Sequence, residues 1–178
     1  IVQTPVVPVL DEEIRNLAEQ AAQNESLYSQ DENYSYWPKE RVANFKDDTT
    51  GESIVVSIQT FAKYYYIKDT AKFWKNQLQW NDLQRDFIIA DKQFVQMPDS
   101  VTGYKYNLLD TNSTRKIKVL ALLKDNKLFK LQTLTDTLTK ESNFISQFYA
   151  SFKPESKKLG PSIFENKLDQ FFNDYNSK

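Results

Sequence analysis

The sequence predicts an α+β domain: a mainly antiparallel sheet of five or six strands with helices on both faces, an α/β/α sandwich. Three observations predict it. Alternating apolar residues mark a three-strand meander over 104–135, broken by turn residues at 110–114 and 125–126. The middle strand of that meander is apolar on both faces, whereas a sheet with one wet face alternates cleanly. Two segments with aromatics at helical spacing then follow, as covering layers would.

Taken in order, residues 1–10 hold two prolines and read as an extended arm. Asp11 can cap an amphipathic helix over 11–29, with Ile14, Leu17, Ala18, Ala21 and Tyr28 on a thin apolar stripe. Residues 30–39 form a polar linker carrying Tyr34, Tyr36 and Trp37. Val42–Lys46 is a short strand, and Asp47–Gly51 is a turn. Ser53–Tyr66 reads as one long strand, rich in β-branched and aromatic residues. Asp69 or Thr70 caps a short helix with Phe73, Trp74 and Leu78. Phe87–Met97 is a strand and Pro98–Gly103 a loop.

The meander comprises Tyr104–Asp110, Arg115–Lys124 and Lys127–Thr135. Asp125-Asn126 suits a two-residue turn with positive φ at both positions. That sets a register: Leu123 opposite Leu128, Leu122 opposite Phe129, Leu120 opposite Leu131, Ile117 opposite Leu134. Thr139 caps a helix with Phe144, Ile145, Phe148, Tyr149 and Phe152 on one face. After the break at Leu159-Gly160-Pro161, Ser162 and Glu165 match a capping box, ahead of Phe164, Leu168, Phe171, Phe172 and Tyr175 at helical spacing. The expected organisation is an arm, helix and linker over 1–37, a core domain over 38–160, and a C-terminal amphipathic helix over 161–178.

Composition narrows the chemistry. The 178 residues suit a single domain and hold no Cys and no His. Thiol and imidazole nucleophiles, thiolate metal sites and His-based acids or bases are thereby excluded. Lys and Arg total 23 against 24 Asp and Glu, and only four of the cations are Arg, the residue best suited to phosphate. With three Gly there is no glycine-rich phosphate loop. No nucleic-acid partner, cofactor, metal or catalytic residue is therefore expected, and no apolar run is long enough to span a membrane. The opening Ile1-Val2-Gln3 reads as a fragment of something longer.

Three segments carry a resemblance: the hairpin Lys118–Leu131, the stretch Phe148-Tyr149-Ala150-Ser151-Phe152-Lys153-Pro154, and Ser162–Lys167 leading to Phe171-Phe172-Asn173-Asp174. Over residues 40–178 the chain resembles the PsbP-like fold, and more narrowly uncharacterised exported proteins of Bacteroidetes bacteria. The resemblance implies an α/β/α sandwich, a location in the periplasm or outer cell envelope, and a C-terminal helix that begins a further module. It implies no catalytic residue.

Several clusters are candidate sites. Asp110–Thr114 offers alternating oxygens but lacks the Gly and closing Glu of a calcium loop, so it reads as a hairpin turn. Asp47, Asp48 and Glu52 read as a solvated turn. Lys116, Lys118, Lys124 and Lys127 read as a solvated rim. The binding candidates are aromatic: Tyr64, Tyr66, Trp74 and Trp80 in the densest aromatic region, and Tyr34, Tyr36 and Trp37 in the linker. On the strand reading, Tyr65 points away from Tyr64 and Tyr66. The expected function is a non-catalytic binding or docking domain of a larger exported bacterial protein, its partner another protein or another domain of the same chain. A carboxylate-dependent carbohydrate-active enzyme or sugar-binding module at Tyr64–Trp80 is the alternative. A structural spacer is the third reading.

Overall fold

A computed structural model describes residues 38–78 and 86–177. Tyr34, Tyr36, Trp37 and Trp80, and the helix expected over 11–29, lie outside the described residues. The described residues form a six-stranded antiparallel sheet and three helices. In chain order the elements are β1 (Lys39–Lys46), β2 (Ser53–Thr60), α1 (Thr70–Leu78), β3 (Phe87–Met97), β4 (Val101–Asp110), β5 (Arg115–Lys124), β6 (Lys127–Asp136), α2 (Asn143–Ser151) and α3 (Leu168–Asn176). The strand order is β1-β2-β6-β5-β4-β3.

The β5–β6 register is the expected one, with Leu122 opposite Phe129 and Ile117 opposite Leu134. The turn differs. Asp125 takes φ +54°, but Asn126 is not left-handed. The turn with both central residues left-handed is instead at Asp99 and Ser100, both at φ +58°, where Val101 N donates to Pro98 O. Pairing therefore resumes at Val101, and residues 101–103 belong to β4 rather than to a loop.

The long strand expected over 53–66 stops at Thr60. The reason lies in its partner. Thr60 pairs with Lys127, the first residue of β6, so the ladder runs out at the β5–β6 turn. The chain then bends, with Tyr65 N donating to Ala62 O at 3.0 Å.

Both sides of β5 are buried. Val119, Ala121 and Leu123 on one side and Leu120 and Leu122 on the other are all at most 5 % exposed. Leu120 and Leu122 cluster with Ile54, Val56, Phe129, Leu131 and Ile145 of α2. Ala121 and Leu123 cluster with Phe61, Ile163, and Phe73 and Trp74 of α1. Asp69 caps α1, accepting from Lys72 N at 2.9 Å. Ser142, not Thr139, caps α2, accepting from Ile145 N at 3.2 Å.

The capping-box motif at Ser162 starts no helix. Ile163 is fully buried; its N–H donates to Asp125 O, and its carbonyl accepts from Ile67 N. A backbone held outward on both sides cannot join a helical ladder, so α3 begins only at Leu168. The β5–β6 turn is thus a buried hub. Leu159 N donates to Asp125 Oδ2 at 2.7 Å, Phe61 N donates to Asn126 O, and Asn126 Nδ2 donates to Phe61 O. A Cβ on Gly160 would sit 2.4 Å from Asn126 Oδ1, which explains a glycine here beyond breaking the chain.

Lys124 corrects the solvated-rim reading. It is 3 % exposed, and its Nζ donates to Glu155 O at 2.5 Å. A buried ammonium needs such an acceptor.

Candidate functional site

The bend after β2 has a mechanical consequence. Phe61 is buried and stacks on Tyr65 at 4.8 Å, which holds Tyr65 against the domain and leaves Tyr64 and Tyr66 exposed. The alternation expected for a strand survives in a turn. Lys167 clamps the bend from the other side, its Nζ donating to Tyr65 O at 2.7 Å.

Helix α3 starts immediately after Lys167. Asp174 on it accepts from Lys63 Nζ at 2.7 Å and from Tyr64 Oη at 2.5 Å. Tyr64 meets Phe171 edge to face at 5.2 Å. The hydrogen bond to the Asp174 carboxylate is the main cause holding both the Lys63 ammonium and the Tyr64 phenol above their ordinary pKa values. The helix is therefore tied to the bend by surface contacts, and none of its residues is buried.

Leu168, Phe171, Phe172 and Tyr175 recur at i, i+3, i+4 and i+7 and are 41–71 % exposed. Phe171 packs on Phe172 at 5.6 Å and lies parallel to Tyr175 at 6.3 Å. The expected apolar face is real, but it looks outward. The sequence placed these residues on a helix face without showing that the face would stay open.

The other candidates separate. Trp74 is 4 % exposed, edge-on to Phe73 at 5.2 Å and to Tyr104 at 5.3 Å, so it is core rather than a binding platform. Among the described residues, the depression beside it is lined by Asp69, Ala71, Lys72, Lys75 and Asn76, with a single carboxylate and no aromatic ring. At the hairpin 110–114, Asn112 N and Ser113 Oγ donate to Asp110 and hold its carboxyl below the ordinary range, the Ser113 bond foremost. Asp47 accepts from Thr49 N, and the single Thr50 hydroxyl proton is shared between Asp47 and Glu52. Among the described residues, no three acidic side chains converge as a metal site would require. No helix among them is long and apolar enough to cross a membrane.

A polar cleft of about 180 Å³ opens near the start of α2, lined by Lys116, Lys118, Lys140, Glu52, Asp136 and Glu141 among others. Its charges are largely engaged. Lys118 pairs with Glu141 and lies 4.6 Å from the centre of the Tyr149 ring. Asp136 accepts from Leu138 N and Thr114 Oγ1, which hold its carboxyl low.

Tyr149 Oη donates to Lys118 O at 2.9 Å; burial first, then Glu141, pushes its phenol well up. An unfolded tyrosine ionises near pH ~10 while the folded one keeps its proton. The folded state then binds more protons, so stability falls as pH rises above about 10, by up to ~1.4 kcal/mol per pH unit from this group. Lys130 and Lys167, whose ammonium groups burial holds low, act in the opposite sense just below the ordinary lysine range. The difference between wild type and Tyr149→Phe therefore isolates the effect. Urea unfolding at about pH 9 and about pH 11 is expected to show a shallower alkaline loss in the variant.

No protein-family model matches this chain, and no curated protein matches it in sequence.

Proposed function

We propose that this chain is a non-catalytic docking domain of a larger exported bacterial protein, using the α3 surface beside Tyr64 to hold an amphipathic helix of another protein or domain. One observation carries the reading: a helix pinned by Asp174 to Lys63 and Tyr64 presents four apolar side chains at i, i+3, i+4 and i+7 to solvent. Such spacing matches the way a helix packs against an apolar helix stripe. Contiguous exposed apolar surface of this kind marks interaction sites. Among the described residues, Lys63 is engaged by Asp174 and Lys167 by Tyr65 O, while Asp169 stands exposed on the first turn. The fitting partner carries Lys or Arg beside its apolar stripe.

The fold reading that accompanies this is a PsbP-like α/β/α sandwich. It is supported by Ile145 of α2 clustering with Leu120 and Leu122, while α1 clusters with Ala121 and Leu123, their neighbours of opposite alternation. An exported location rests on the resemblance of the three segments quoted above.

A photo-crosslinking residue in place of Phe172, with one in place of the exposed Leu138 as control, tests the docking reading in the native host. An adduct is expected at 172 alone, on a peptide with an apolar stripe and flanking Lys or Arg. Phe171→Asp should abolish it. Phe172→Ala should weaken the complex by about tenfold or more, as hot-spot truncation does, while changing folding stability by less than ~0.5 kcal/mol because the ring is exposed. Absence of any adduct, or the same adducts at both positions, would overturn the reading in favour of a spacer.

A further inference from the structure

The two edges of the sheet are not alike. β3 is blunted: its register with β4 shifts between Ala90 and Gln93, Asp91 takes φ +53°, and Asn107 Nδ2 donates to the Asp91 carboxylate. Such bulges end an edge's capacity to pair. β1 has no such device. Its eight residues are all exposed, and its register with β2 is unbroken from Lys39 opposite Thr60 to Lys46 opposite Ser53.

The direction of the free groups on β1 follows from its hairpin. Asp47 N donates to Glu52 O at 2.9 Å, in step with the β1–β2 register. Odd-numbered residues of β1 thus point their N–H and C=O groups at β2. Glu40, Val42, Asn44 and Lys46 point theirs at the open edge, since these groups alternate along a strand. A second copy can pair antiparallel only where even residues face even residues.

We propose that β1 is a homodimer edge, two copies pairing antiparallel about a two-fold axis at Ala43. In this register Glu40 faces Lys46 of the second copy and Val42 faces Asn44. Each such pair exchanges two main-chain hydrogen bonds. Both Glu40–Lys46 pairs are opposite in charge, and Arg41 lies across from Phe45, a cation beside an aromatic ring. The neighbouring registers are poorer. A shift one way sets Glu40 against Asp48 and Val42 against Lys46, a repulsion that offsets the Arg41–Asp47 pairs it also brings together. A shift the other way removes the ion pairs and sets Lys46 against Pro38, which has no N–H to give. The even register also keeps like faces together. The Phe45 rings, each 5.0 Å from Phe148 of its own chain, then lie on one side of a continuous sheet built from two six-stranded halves. The charges that protect this edge from indiscriminate pairing thus permit one partner, itself.

Sedimentation of the full 178-residue chain between about 1 μM and about 1 mM, at low salt, tests this, since ion pairs at a surface are screened by salt. Wild type should show a monomer–dimer equilibrium. Lys46→Glu sets Glu40 against a second carboxylate in both pairs and should raise the dimer dissociation constant by about tenfold or more, from the cross-strand pair energies. Glu40→Lys should do the same. Glu40 also lies in the field of Lys130 of its own chain, so Lys46→Glu is the cleaner variant. Mixing the two single variants should restore a dimer, because the lysine introduced at position 40 of one copy then faces the glutamate introduced at position 46 of the other. Asn44→Pro, which removes an edge N–H without taking a bond from β2, should leave a folded monomer by circular dichroism. A monomer throughout the range, a dimer indifferent to these charges, or no recovery on mixing would overturn the proposal.

Discussion

Replacing Phe73 by alanine is expected to cost about 3–5 kcal/mol of folding stability, the range for a large aromatic removed from a core. The ring is 1 % exposed and meets three others nearly edge-on: Phe61 at 5.9 Å, Trp74 at 5.2 Å and Phe164 at 5.7 Å. These contacts join α1 to the bend after β2 and to the segment leading into α3. No backbone can close the resulting void, because Leu123, Leu128 and Ile163 around it are already fixed in the sheet or by hydrogen bonds on both sides. Urea unfolding checks the size, with Phe73→Leu expected to cost less because it leaves a smaller void. A second readout locates the loss. The amide of Ile67, bonded to Ile163 O at 2.9 Å, should exchange with solvent faster in Phe73→Ala, relative to global unfolding. A cost below ~1 kcal/mol, far short of a core aromatic's usual value, would show that this cluster does not hold the base of α3.

Gly103→Ala should cost about 3 kcal/mol or more, through overpacking rather than through the conformational freedom of glycine. Gly103 is buried in β4 opposite Leu122. A Cβ there would lie 1.9 Å from Ala121 O, 2.9 Å from Ala121 C and 3.0 Å from Leu122 Cα. All three are backbone atoms, so no side chain can rotate away and β4 must separate from β5. Gly51→Ala is the informative contrast. Gly51 has φ +74° but nothing within 4 Å of the added carbon, so only backbone strain applies, about 1 kcal/mol. Parallel denaturation of both variants measures the difference. Equal losses would mean that β4 and β5 part easily at this point, and that the meander is less rigid than its continuous ladder implies.

The aromatic region divides along the same lines. Sequence density drew Tyr64, Tyr66 and Trp74 together as binding candidates, but density does not distinguish a ring that fills a core from one that covers it. Trp74 went inward because α1 presents Phe73, Trp74 and Leu78 to the sheet. Tyr64 stayed outside because Tyr65, its neighbour, took the position over Phe61.

The meander is written in the chain alone. The ends of β5, the pairing of Leu120 with Leu131 and of Leu123 with Leu128, and the double-sided apolar character of β5 all follow from a period of two and a short turn. These are local properties, legible without knowing what packs where. Packing between distant segments set the rest. β2 ends where β6 has no more residues to offer, which is a property of another strand. The Ser162 motif fails as a helix start because Ile163 is drawn into the core and its backbone is bonded on both sides. Lys124 and Lys167 are buried because nearby carbonyls accept hydrogen bonds from their ammonium groups, an arrangement no spacing rule encodes. The apolar stripe of α3 was visible as a stripe, but its exposure was not. A helical period says that one face wants cover; whether cover exists depends on which surface is already occupied, and here Phe73, Trp74 and Ile163 fill that side of the sheet first.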